Sequence, residues 1–413
     1  MKGILFILIA WLLTLLTCLE GSGVRTWTSA DGREIRGSIA GKVGGQSVRL
    51  LMTDGRIFTI PLSRLSFKDQ KYVEQWEPGL LRTPTIEEAV YTIRNVGSAG
   101  TGFLMQMDGL SYLVTNQHVI QGARREDLEV VNSKLDQLPL GPLEVVPELD
   151  LARILVPRDS GLLAHPNPRI RERISAYGNS AGADVVTSNP GSILGLGATQ
   201  VEVDAEIVPG NSGGPIATED GKVVGVASYL MRTRSQRVDW TNQDTRYSET
   251  RRFGLRVYAE FPWQEVDWAL YAESGKELDS LLRDFSGWFA VAVPAVSRPL
   301  DPIELPDAAS SYVRDFVDVQ NDNAARLENR LNDRVSPNDL SRINRFERRK
   351  IKDIYVKEGE SMERVLSRFN QTERRYWNGF YQAQVDRVEA ELEEWMQFVT
   401  WSSENRDLFR FFD

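Results

Sequence analysis

Apolar and polar residues alternate in short runs through most of the chain up to about residue 260, with glycine-centred turns between the runs. A period of two sends one face of each run into a core and leaves the other in water, which is the pattern of strands. SVRLLM and RIFTIPL read this way, beside Asp31-Gly32 and Asp54-Gly55, which are hairpin-turn signals. Residues 24–77 therefore form one small antiparallel barrel. Pro78 to Pro84 makes a short linker, and from Thr85 the alternation resumes in IEEAVYTIRNVG, GTGFLMQMDGLSYLVTNQHVIQGA, LEVV, LARILVP, SAYG, QVEVDAEIV and KVVGVASYLM. So many short strands at close spacing predict an all-β sandwich or barrel.

Near Pro262 the period widens, and WQEVDWALYAESGKELDSLLRDF is an amphipathic helix that closes the 85–285 segment. Prolines 294, 299, 302 and 306 among small residues mark an extended linker over 286–310. Residues 311–413 are helical, with a start signal at Ser336-Pro337 and one apolar face carrying Val385, Val388, Leu392, Trp395, Met396 and Val399. Tyr376, Trp377, Phe380 and Tyr381 add aromatic surface in this region. Large apolar residues outside the main core need something to pack against, which points to self-association.

Composition narrows the function. With 41% hydrophobic and 26% charged residues the 413-residue chain has ordinary soluble composition, and its net charge of −9 leaves no basic footprint for nucleic acid. Met1-Lys2 followed by the apolar run Ile4 to Leu19 has the form of a signal peptide over 1–23, shorter than the roughly 20 residues of a spanning helix. Export to the periplasm or the exterior is the expectation, with an uncleaved membrane anchor as the alternative. Cys18 is the only cysteine, so no internal disulfide or thiolate metal cluster can form, and His118 and His165 are the only histidines.

One stretch invites chemistry: Gly210-Asn211-Ser212-Gly213-Gly214-Pro215-Ile216. Glycines around a single serine allow a tight backbone that lifts the hydroxyl into a cleft, although alone such a cluster is only a turn. A hydroxyl is a weak nucleophile at neutral pH and needs an imidazole beside it, itself held by a carboxylate. His118 follows the strand-like SYLVTN, whereas His165 lies among prolines in a connector. Asp150 opens the apolar run LARILV, where a carboxylate needs a partner, while Asp136 lacks that setting and Asp204 lies close before the serine. The order His118, Asp150, Ser212 is that of chymotrypsin-like enzymes.

With these motifs in place, GTGFLMQ, LVTNQHVI, DLARILV and VDAEIVPGNSGGPI followed by GKVVGVASYLM, residues 85–270 resemble the trypsin-like serine proteases, and within them the HtrA (Deg) branch. The resemblance implies a mainly β, multidomain chain with a chymotrypsin-type double β-barrel. It implies that His118 is the general base, Asp150 its orienting acid and Ser212 the nucleophile, with the N–H groups of Gly210 and Ser212 as oxyanion donors. No metal or cofactor is needed for this chemistry, and the partners are protein or peptide substrates. By motif offset Glu206, Ser228 and Leu230 border the specificity pocket; Glu206 favours basic side chains, but Leu230 would block their entrance, so aliphatic residues are expected. HtrA proteins normally carry PDZ domains after the protease, and no such pattern follows here. Residues 24–77, from RTW through the paired Asp-Gly turns to PLSRLSFKDQKYV, resemble the SLA homology domain (SHD), an SH3-like module, which implies a binding or tethering role toward a cell-envelope partner. The rival reading is a catalytically idle envelope scaffold that works through this module and the C-terminal helices.

Overall fold

The computed structural model describes residues 25–405 apart from 44, 53–55, 77–82, 96–97, 108–109, 159, 181–184, 233–249, 258–259, 298–303, 305–310 and 333–336. The expected leader, with Cys18, and the Asp54-Gly55 turn lie outside the described residues. No described helix is long and apolar enough to cross a membrane. The chain divides into two compact units, residues 1–270 and 271–413.

The first unit begins with a four-stranded meander of β1 (Arg25–Thr28), β2 (Glu34–Val43), β3 (Ser47–Met52) and β4 (Ile57–Pro61). Gly32, at φ +83°, turns the β1–β2 hairpin, as Asp-Gly chemistry requires. Val48, Leu50 and Met52 share one face of β3 and build a core with Trp27, Leu65 and Val73. Val73 comes from a helix that the strand pattern alone does not predict, α1 (Phe67–Gln75), capped by Ser66, whose Oγ accepts from the Asp69 N–H. Asp69 is buried and accepts from the Arg25 guanidinium at 2.6 Å and the Thr28 N–H at 2.7 Å. Asp69→Ala strands these donors and is expected to cost about 3 kcal/mol, read as a lowered unfolding midpoint. Leu51 points away from the small core yet is 1% exposed, because it packs at Gly141 of the following domain.

That domain starts with the single turn α2 (Ile86–Ala89), held by a capping box between Thr85 and Glu88. Then come β5 (Val90–Asn95), β6 (Ser98–Met107), β7 (Leu110–Thr115), the short helix α3 (Gln117–Ile120), β8 (Glu129–Val131), β9 (Leu143–Val146) and β10 (Leu151–Leu155). The second half holds β11 (Arg173–Asn179), β12 (Val186–Leu196), β13 (Gln200–Val203), β14 (Pro215–Ala217), β15 (Val223–Arg232) and β16 (Thr250–Arg256), before β17 (Gln264–Val266) returns to the first sheet. The second set closes into a barrel ordered β11-β12-β13-β16-β15-β14 around Ile174, Ile193, Val201, Val203, Ile216 and Val224. The first set is a seven-stranded sheet ordered β17-β9-β10-β7-β6-β5-β8. It is not closed by strand pairing among the described residues.

The helix expected to close the 85–285 domain behaves differently. α4 runs from Trp268 to Ser297, so the expected linker does not begin at 286, and Pro294 lies inside the helix. Buried Leu278, Leu281, Phe285, Trp288, Val291 and Ala292 keep helical spacing past residue 285, and this burial outweighs one proline near the helix end. From Tyr271 onward α4 belongs to the second unit, with α5 (Ser311–Asn332), α6 (Pro337–Gln371) and α7 (Gly379–Asn405). Trp288 stacks edgewise on Trp395 at 4.8 Å, Tyr355 on Trp395 at 6.3 Å, and Tyr271 lies 5.5 Å from Tyr381. Of the aromatic residues that gave the ground for self-association, Tyr381 and Trp395 are core of the helical unit, while Tyr376, Trp377 and Phe380 are half-buried.

Candidate active site

β7 ends at Thr115, and Asn116 starts the single helical turn that carries His118. Asp150 stands at the entrance to β10, a strand buried along its whole length. The pairing of β10 with β7 brings Ala152 opposite Thr115 and so sets the two side chains together. His118 Nδ1 lies 2.6 Å from Asp150 Oδ2, and the His118 backbone N–H donates to Asp150 Oδ1 at 3.0 Å. An ionised carboxylate can only accept, so Nδ1 carries the proton and Nε2 of the neutral ring keeps its lone pair. Desolvation works against the imidazolium, but the charge of Asp150 and its hydrogen bond outweigh it and raise the His118 pKa above its ordinary 6.5.

The serine loop is two consecutive turns. Asn211 N–H closes the first on Val208 O at 3.0 Å, and Gly214 N–H closes the second on Asn211 O at 2.8 Å. Gly210 (φ +95°) and Gly213 (φ +83°) occupy the third position of each, which a type II turn reserves for positive φ. A Cβ on Gly213 would also fall 2.1 Å from Thr101 O, so the loop can press against β6 only with glycine there. Gly213 N–H donates to Ala227 O and Ala227 N–H to Gly214 O, which zips the loop onto β15. Among the described residues, neither the Gly210 N–H nor the Ser212 N–H donates to a protein acceptor.

The sequence matches the trypsin-like peptidase domain family over residues 100–226. Those residues are a trypsin-like peptidase domain. The chain is 30% identical over 175 residues to serine protease HTR4 of Rattus norvegicus, covering 37% of this chain and 34% of that protein. It is 33% identical over 145 residues to a probable periplasmic serine endoprotease DegP-like of Chlamydia pneumoniae, covering 32% of this chain and 29% of the relative. The chain thus spans about a third of the length of these curated relatives. The crystal structure of the serine endoprotease from Yersinia pestis aligns over 49% of this chain and 68% of its own, with 22% identity and a TM-score of 0.32.

Other residues of the peptidase domain support the pair. Asn116 Nδ2 donates to Asp150 O at 2.6 Å, and the buried Gln117 donates to Leu149 O at 2.6 Å and Val146 O at 3.0 Å. Two neighbours of His118 therefore clamp the turn that presents Asp150. Their polarity beside an apolar strand was the available signal. Ser228, expected at the pocket wall, donates its hydroxyl to Asp150 Oδ2 at 3.1 Å; β15 carries it next to Ala227 and the serine loop. Glu206 is exposed and is not the buried floor of a pocket; its backbone oxygen accepts from Asn189 Nδ2. The Leu230 side chain lies outside the described residues. His165 has both ring nitrogens engaged, Nδ1 accepting from the Asn167 N–H and Nε2 donating to Glu172 at 2.9 Å, which leaves none for a reacting group.

Proposed function

We propose that this chain is an exported serine endopeptidase that hydrolyses peptide bonds through an acyl-enzyme. The observation that carries the reading is the 2.6 Å contact of His118 Nδ1 with Asp150, which orients Nε2 as a proton acceptor in the domain that also holds the GNSGG loop. Ser212 Oγ attacks the scissile carbonyl carbon while His118 Nε2 takes its proton. The carbonyl electrons move to oxygen, where the Gly210 and Ser212 N–H groups receive the negative charge. Each such donor contributes about 10²–10³ in rate, since it acts where charge develops. Collapse breaks the C–N bond, and His118 returns the proton to the leaving amine. Water then attacks the acyl ester with His118 again as base, which frees the acid and restores Ser212.

An exposed Glu206 supplies no enclosed anion for basic side chains, which supports aliphatic residues before the cut. Export is supported by the leader-like run Ile4 to Leu19 and by the periplasmic description of the Chlamydia relative. The N-terminal four-stranded sheet, which is not closed into the expected barrel by strand pairing among the described residues, has its own core and its SHD resemblance and is proposed as the tether to a cell-envelope partner. A fluorophosphonate probe tests the reading: it should label the purified chain on one tryptic peptide, the one containing Ser212. Absence of label, before and after proteolytic trimming of the helical unit, overturns it.

A further inference from the structure

The motif Gly100-Thr101-Gly102 is left without a task by the reaction itself, yet it touches the serine loop at two points. Thr101 is fully buried on β6. Its N–H donates to Ser212 O at 2.9 Å, and its hydroxyl donates to Gly210 O at 2.6 Å. The same Oγ1 accepts from the Asn179 N–H at 2.9 Å, and Thr101 O accepts from the buried Thr115 hydroxyl at 2.7 Å. A hydroxyl has a single proton. With the Asn179 N–H pointed at its oxygen, that proton is directed to Gly210 O.

The consequence follows from planar peptides. The Gly210 C=O and the Asn211 N–H belong to one plane, held by Thr101 Oγ1 at one end and by Val208 O at the other. The Ser212 C=O and the Gly213 N–H belong to another, held by the Thr101 N–H and by Ala227 O. The peptide that carries the Gly210 N–H has no hydrogen bond of its own within the protein among the described residues. Its direction is set through the φ of Gly210, and glycine populates positive and negative φ about equally.

We infer that Thr101 is the positioning residue of the oxyanion donors: its hydroxyl and its N–H hold the Gly210 and Ser212 carbonyls, and so fix where the two residues that carry the donor N–H groups stand in the cleft. This rests on the serine peptidase reading. Thr101 touches neither substrate nor reacting atoms and acts through the backbone of Gly210 and Ser212.

Thr101→Val and Thr101→Ser test it in the full chain. Valine keeps the shape and removes the proton; serine keeps the proton. In Thr101→Val, kcat on a peptide substrate should fall by about 10- to 100-fold, the scale of a small misplacement of reacting groups. KM should stay within about twofold of wild type and the acid limb of the pH profile should not move, since the His118–Asp150 pair is untouched. Binding of a peptide boronate, whose tetrahedral oxygen occupies the oxyanion position, should weaken in step with kcat. Thr101→Ser should match wild type within about threefold, because it keeps the donor. Unchanged kcat in Thr101→Val overturns the inference, as does a tenfold loss in Thr101→Ser, which decides the matter even if the valine variant does not fold. A rise in KM together with a displaced acid limb assigns Thr101 a general structural role and overturns it too. Wild type that takes no fluorophosphonate defeats the peptidase reading itself. Wild type that labels, beside an equally active Thr101→Val, defeats only the role of Thr101.

Discussion

Replacing Ser212 by alanine is expected to lower kcat for peptide hydrolysis by about 10⁶-fold, the loss seen when a nucleophile acting as one unit with its base is removed. Among the described residues, the Ser228 hydroxyl meets the histidine–aspartate pair and is not free to take over the attack, because it spends its proton on Asp150 Oδ2 at 3.1 Å. The variant should fold normally, because the Ser212 backbone, with its carbonyl on the Thr101 N–H, stays in place. Oxyanion donors and substrate binding should leave a residue of about 10³–10⁴ over water. Stopped assays on one fluorogenic peptide give both numbers, and thermal unfolding gives the third. A variant that retains even 1% of wild-type activity means that another group performs the chemistry, and the assignment of Ser212 is then wrong.

The strands nearest this serine were legible because each is short, apolar on one face and bounded by glycine. β12 and β16 were not. β12 holds Pro190, which pairs with Ser175 inside the barrel, and a proline in a run argues against a strand until its position in the ladder is known. β16, Thr250–Arg256, carries three arginines in seven residues, and Arg251 is accommodated by its two contacts with Glu202, at 2.7 and 2.8 Å across the pair with β13. α4 was read short for a related reason: Pro294 was visible, while the burial of Trp288 against Trp395, more than a hundred residues later, was not.

Within the candidate site, chain order and residue type were enough to single out His118, Asp150 and Ser212, because the chain has only two histidines and Ser212 stands in the glycine-rich GNSGG stretch. What escaped was the set of polar residues that hold backbone, namely Thr101, Asn116 and Gln117. Their partners are carbonyl groups, and a carbonyl carries no sequence signature. Ser228 was placed near the site by its offset, but the bond of its hydroxyl to Asp150 was not legible, since Ser228 sits at an irregularity of β15 between Ala227 and Tyr229.

Asp150→Asn is the sharper test of how the site works, because it keeps shape and changes only charge and proton direction. The His118 backbone N–H points at Oδ1, so the amide oxygen of an asparagine settles there. Its NH₂ then faces His118 Nδ1, which must become an acceptor, and the single ring proton moves to Nε2. In that tautomer the histidine cannot take the proton of Ser212. The expected loss is about 10⁴-fold in kcat, or about 5 kcal/mol of transition-state stabilisation. The pH profile separates this from simple damage. In wild type the neutral imidazole is the active form and Asp150 raises its pKa, so the acid limb should have its midpoint above 6.5. The same shift means that the folded state binds this proton more tightly than the unfolded chain. Its contribution to stability is full below about pH 6.5, and it is lost as the pH rises through the folded value. Without the carboxylate, desolvation acts alone and the acid limb should move below that of wild type. A variant within tenfold of wild type in kcat, or one whose acid limb stays in place, would show that Asp150 neither sets the tautomer nor holds the charge of His118.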